Sequence, residues 1–170
     1  MDKQLLFQFL DACGLGVLSS LGPMGAPQSA LVGIAITPEL EIIFDTVEKS
    51  RKFANIAHIA RDPRVAFLTG WQGEVTVQYE GVARQISSTE LGPYHEIYFR
   101  KFTDAPSRLK WEGITHYVVT PMSIRYSDYD QARRKLLSSC FEALDSRTIS
   151  GTCRNRGKIC GLASLRLRIS

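Results

Sequence analysis

Apolar residues first recur at helical spacing at Leu5, Leu6, Phe9 and Leu10, which predicts a short amphipathic helix over residues 2–12, ended by Gly14. Leu15 to Ser20 reads as a strand. The run Leu21-Gly22-Pro23-Met24-Gly25-Ala26-Pro27 is dense in turn formers, and a second strand follows from about Gln28 to Thr37. Pro38-Glu39 turns the chain into a third strand, Glu41 to Thr46. Three strands at this pace predict an antiparallel meander. Ser50 can cap a helix reaching about Ala60, with Phe53, Ile56 and Ala57 on one face, and Asp62-Pro63 closes it. Val65 to Thr69 is a strand, Gln72-Gly73 suits a tight turn, and Glu74 to Ile86 alternates as another strand. Ser88 to Phe102 reads as a helix, and His116 to Tyr126 as a strand interrupted at Pro121. Leu136, Leu137, Cys140, Phe141 and Leu144 cluster on one more helix, 132–144. Short antiparallel strands with few helices predict a mainly β (α+β) chain folded as a closed or split barrel. The barrel domain spans 1–130, and 131–170 forms a C-terminal helix and a basic tail.

The 170 residues suit one domain with an appendage. No stretch approaches the roughly 20 apolar residues needed to span a bilayer, so no membrane role is expected. The N-terminus lacks the apolar core of a secretory signal, and a cytoplasmic location with reduced thiols is expected. Cys13, Cys140, Cys153 and Cys160 show no CxxC spacing and lie far from His58, His95 and His116, so no metal site is expected. The net charge of +4 divides into +7 over residues 131–170 and −3 over the rest. The body is therefore not a basic nucleic-acid-binding domain, and any such role would rest on the tail alone.

The chemistry concentrates where Glu41-Ile42-Ile43-Phe44-Asp45-Thr46-Val47-Glu48-Lys49-Ser50-Arg51-Lys52 runs from a strand into a helix. The first helical turn carries free N–H groups and partial positive charge, so a cation there costs about 0.3–1 kcal/mol. Arg51 and Lys52 nevertheless follow the capping Ser50 directly. A docked phosphate would account for this. It would accept the free N–H groups and the Ser50 hydroxyl, take a two-pronged clamp from Arg51, and gain a point charge from Lys52. Thr46 adds a hydroxyl at the strand end, beside Asp45. The plain alternative is that both cations point into water.

"FDTVEKSRKFANI" followed by "DPRVAFLTGW", then "VQYEGVARQIS" and "PMSIRYSDYD", resembles the pyridoxamine 5′-phosphate oxidase-like, FMN-binding split-barrel family over roughly residues 5–130. The resemblance implies a homodimer with FMN at the subunit interface and a small-molecule substrate. It matches Thr46, Ser50, Arg51 and Lys52 to the phosphate and ribityl contacts, with Asp45 beside them. It sets Gln28, Ser29 and Ala30 along the flavin ring, and Thr76, or Gln78 on the same strand face, where a cofactor-binding Gln often stands. Three departures follow. Ser29-Ala30-Leu31-Val32-Gly33-Ile34 replaces the Arg-X-Val-Leu-Leu-Lys strand of the true oxidases, and their Arg-Leu-His-Asp-Arg-like end is absent. The segment Ile56 to Ala60 runs about three residues longer than usual, almost one helical turn. The first two departures direct the expectation away from pyridoxamine phosphate itself.

The resulting expectation is an FMN-dependent oxidoreductase in which hydride moves directly between substrate and ring, so that no catalytic side chain is assigned. A deazaflavin coenzyme would want more basic residues beside the phosphate. A non-catalytic flavin or haem protein is the reading of another class, with His58, His95 or His116 as axial ligand. Trp71, Tyr79, Tyr94, Tyr98 and Trp111 are expected to fill a core or a dimer seam more than a ring pocket. His95 and His116 are expected at surface or core positions, and Cys13 as a small buried residue. Arg125 would reach the cofactor or pair with Asp128.

Overall fold

The computed structural model describes residues 2–22, 24–47, 62–71 and 73–129, together with the backbone of 164–168. The expected helix over 50–60, the Ser50-Arg51-Lys52 run, His58 and the expected helix over 132–144 lie outside the described residues.

Helix α1 (Lys3–Ala12) starts where the Asp2 carboxylate accepts from the Leu5 N–H at 2.8 Å. At its other end the Lys101 ammonium donates to the carbonyls of Asp11 and Cys13, placing a cation on the negative pole of the helix. The strands are β1 (Leu15–Leu21), β2 (Pro27–Gly33), β3 (Ala35–Ile36), β4 (Ile42–Val47), β5 (Arg64–Thr69), β6 (Val75–Gln85), β7 (Ile114–Asp128) and β8 (Ser164–Arg168). Helices α2 (Leu91–Lys101) and α3 (Ala105–Arg108) sit between β6 and β7.

All pairings are antiparallel, in the order β2-β1-β5-β6-β7-β4-β3, with β8 beside the second half of β7. The expected consecutive antiparallel pairings form, β1 with β2 and β3 with β4, and β4 pairs on its other side with β7. The expected strand from Gln28 to Thr37 is broken at Ile34, and its two pieces lie on opposite edges of the sheet. Two edges joined through a single residue force the sheet to curl round on itself, as a split barrel does. β7 runs through Pro121 as one strand of 15 residues, with a register shift against β6 between Glu80 and Gly81. Residues 164–168, expected within a basic tail, form β8.

Alternation sorts each strand into two faces. The inner face packs Leu18, Val32, Ile42, Phe44, Val65, Phe67, Val77, Tyr79, Tyr117 and Val119 against Leu6 and Leu10 of α1. Phe44 stacks on Tyr117 at 5.5 Å, and Phe67 meets Tyr79 edge-on at 6.2 Å. The outer face divides in two. Over β3, β4 and the first half of β7 it is covered by α2 and α3, where Ile43, Val118 and Tyr98 form a second cluster. Over β1, β2, β5 and β6 it carries no described helix, and Leu15, Leu21, Leu31 and Leu68 stand exposed there.

Candidate functional site

β4 carries the two strand-end candidates on opposite faces. Thr46 shares the inner side with Phe44 and is buried, opposite Thr115 of β7. Asp45 turns outward beneath the helices, opposite His116. There its carboxylate accepts from the Arg108 guanidinium at 2.7 Å, with side-chain exposures of only 12% for Asp45 and 17% for Arg108. Arg108 also lies over the rings of Tyr98 and Phe102, at 5.8 and 6.0 Å, and its Nε sits 3.3 Å from the exposed Asp104 carboxylate. Of the strand-end set, Ser50, Arg51 and Lys52 lie outside the described residues.

His116 and His95 meet edge-on beside this pair, with ring centroids 4.6 Å apart. His95 stacks on Phe99, and Tyr98 approaches His116 edge-on. Burial, reinforced by His95 and Arg108 and opposed by Asp45, pushes His116 down to about 4. Burial also lowers His95. Both rings are therefore neutral near pH 7. Among the described residues, His95 Nε2, Tyr98 Oη and Arg108 Nε lack a hydrogen-bond partner. No group of three or more potential metal ligands occurs among the described residues.

The remaining candidates lie along the barrel wall. Ser29, Thr76 and Gln78 face outward, whereas Gln28 and Ala30 fall on the opposite side of β2. The registers align Leu31, Val17, Leu68, Gln78 and Arg125 in one cross-strand row and Ser29, Ser19, Ala66, Glu80 and Ser123 in the next. Ser29 and Ser19 share a hydroxyl hydrogen bond of 3.2 Å. Arg125 donates to the Gln78 side-chain carbonyl at 3.4 Å, a partner that neither sequence alternative named. A groove of about 430 Å³ opens along this face between Ser19, Leu21, Pro27, Arg64, Glu80 and Met122. A second cleft of about 440 Å³, at the rim near α1, is lined by Phe9, Cys13, Leu15, Thr69, Gly70 and Trp71.

The structure thus brings Ser29, Thr76 and Gln78 onto one open face and leaves Asp45 and Thr46 elsewhere. Between Thr115, beside Thr46, and Ser127, beside Thr76, β7 advances about 40 Å along its length. Of the aromatic candidates, Tyr79 and Tyr98 are fully buried, Tyr94 is half-buried, and Trp71 and Trp111 are exposed. Cys13 is half-buried and donates to the Phe9 carbonyl.

Sequence reasoning missed Arg108 and the meeting of His95 with His116. One signal was present: a carboxylate inside an apolar strand requires a cation once it is buried. Which cation could not be read, because Arg108 stands 63 residues away.

Among curated proteins, none matches the chain in sequence. Solved structures do match in fold. A protein of unknown function from Agrobacterium tumefaciens gives a TM-score of 0.64 at 16% identity, covering 73% of this chain and 55% of its own. A heme binding protein from Mycobacterium smegmatis gives 0.63 at 16%, covering 73% and 52%. A pyridoxamine 5′-phosphate oxidase-related, FMN binding protein from Nostoc punctiforme gives 0.54 at 14%, covering 74% and 78%. The matched part of this chain spans about half the length of the first two. The sequence model of the pyridoxamine 5′-phosphate oxidase family matches residues 3–128, nearly the whole described barrel. With that match laid over the split barrel and its open sheet face, the chain belongs to the pyridoxamine 5′-phosphate oxidase family.

Proposed function

We propose that this chain is an FMN-dependent oxidoreductase, acting as a homodimer on a small molecule other than pyridoxamine phosphate. The observation that carries the reading is the end of β4. Thr46 lies buried at the barrel rim, and four residues on the sequence enters Ser50-Arg51-Lys52, a capping hydroxyl and two cations where a helix is expected.

The donor set suits a flavin phosphate ester. Thr46, Ser50, Arg51 and Lys52 would hold the phosphate and ribityl oxygens. Ser29, Thr76 and Gln78 offer hydroxyls and an amide on a wall that also carries Leu31 and Leu68, which suits a ring with polar edges. Thr46 and this trio are far apart along one protomer. A second copy packed on the open face would let the β4 end of one subunit approach the wall of the other, and the exposed Leu15, Leu31 and Leu68 supply apolar surface for that contact. The bound flavin would supply the redox chemistry, and the chain would bind it, orient it and exclude water. The described residues supply no evident acid–base pair, because His116 is buried beneath α2 beside Tyr98, and His95, on α2, stacks on Phe99.

Replacing Arg51 and Lys52 together with Ala should weaken FMN binding by about a hundredfold or more, from two charge-assisted contacts. Unchanged affinity in flavin fluorescence titrations would refute the assigned grip. The same titration with a deazaflavin coenzyme separates that alternative. A haem reading, raised by the M. smegmatis relative, would rest on His58 or His95, since His116 is buried. An absorbance spectrum with a Soret band in place of flavin bands would favour it.

A further inference from the structure

The rim cleft beside α1 has no part in the FMN reading. Its volume of about 440 Å³ falls within the range of small-molecule sites. Every described residue that lines it is uncharged. Its hydroxyl and thiol are already committed to backbone acceptors: Thr69 donates to the Leu15 carbonyl at 2.7 Å, and Cys13 to the Phe9 carbonyl at 3.3 Å. Lys101 does not line the cleft, and donates instead to the carbonyls of Asp11 and Cys13. A charged ligand would lose water here and meet no counter-charge among the described lining. The aromatic wall is held in place. Phe9 lies so close on Gly70 that a Cβ there would stand 2.6 Å from its ring, and it meets Tyr126 edge-on at 5.5 Å. Leu15 and Trp71 remain 47% and 43% exposed, apolar surface that a bound ring would take out of water. The cleft also borders the wall of the open face. Leu15 stands two residues before Val17, whose cross-strand partner Leu68 pairs with Gln78.

We propose that this cleft receives a flat, uncharged ring, and that the substrate presents such a ring there in place of a phosphate or a carboxylate. The cleft and its ligand class stand without the FMN reading, whereas the role as substrate site rests on that reading.

The probe is N-phenylnaphthylamine, a neutral aromatic whose emission rises when it leaves water. It should bind the full chain saturably. A Cβ at Gly14, which lines the cleft, would meet nothing within 4 Å. Gly14→Leu should therefore take up space in the cleft without strain and weaken the probe by about tenfold or more. Trp71→Ala removes a flat wall and should weaken it by about as much. Naphthalenemethanol should displace the probe at about a tenth of the concentration that naphthoate, its carboxylate counterpart, requires. Thermal unfolding is followed for each variant, and if Trp71→Ala does not fold, Gly14→Leu decides. No saturable binding, equal displacement by the two competitors, or parental probe affinity in Gly14→Leu would each overturn the proposal. In FMN-loaded protein, naphthalenemethanol should perturb the flavin absorption bands, and undisturbed bands at saturation would overturn the substrate role. Failure of the parent chain to bind FMN would overturn the cofactor reading and the substrate role with it, while the probe titration still decides the cleft.

Discussion

At the residue scale, His116 is the side chain whose environment has the clearest consequence. Its ordinary value of 6.5 is pushed down to about 4 in the folded chain, chiefly by burial. Between those values the unfolded chain binds the proton more readily. The stability is therefore fully present above about pH 6.5 and falls as pH drops toward 4, by about 2 kcal/mol at pH 5 from this group. Thermal unfolding at pH 7 and pH 5 should show that loss in the parent chain and a smaller one in His116→Phe, which keeps a ring against His95 and Tyr98. Tyr79 makes a second test. Its fully buried hydroxyl serves the carbonyls of Leu40 and Val119, at 3.0 and 2.8 Å. Tyr79→Phe should cost about 1–3 kcal/mol in urea unfolding, because two buried carbonyls lose their donor. The sequence placed Tyr79 among the core-filling aromatics, but its hydrogen bonds were not legible, since both acceptors come from distant elements.

At the element scale, most strands stood where alternation set them, and their ends moved by only a few residues. The departures have local causes. β2 and β3 separate at Ile34, where the chain crosses from one edge of the sheet to the other. Gly33 allows close packing beside that crossing, since a Cβ there would meet the Phe102 ring at 3.0 Å. β7 passes Pro121 because the register shift against β6 absorbs it. On β6, Gly81 sits directly at that shift. A Cβ at this position would lie 2.5 Å from the Thr120 carbonyl and 2.7 Å from Val119 Cγ1. Gly81→Ala should therefore destabilise by about 1–3 kcal/mol, read as a lower denaturation midpoint with an unchanged slope.

At the scale of the whole molecule, the question is what covers the open face. Leu15, Leu31 and Leu68 are 47%, 54% and 39% exposed on adjacent strands. No helix among the described residues is long and apolar enough to cross a membrane. A second copy of the chain is the occupant that the FMN reading requires. Leu68→Glu should then shift the protein from dimer to monomer in analytical ultracentrifugation and weaken FMN binding with it. A parent chain that sediments as a monomer at micromolar concentration would remove the interface from the reading.

The sequence by itself determined the barrel class and the spacing of most strands, because periodicity and turn chemistry are local properties. Only the tertiary structure decided which strands pair, that Asp45 and Thr46 face opposite ways, that Arg108 answers Asp45, and that His95 meets His116. Those are contacts between residues far apart in the chain, set by how the curled sheet closes, and no local pattern specifies them.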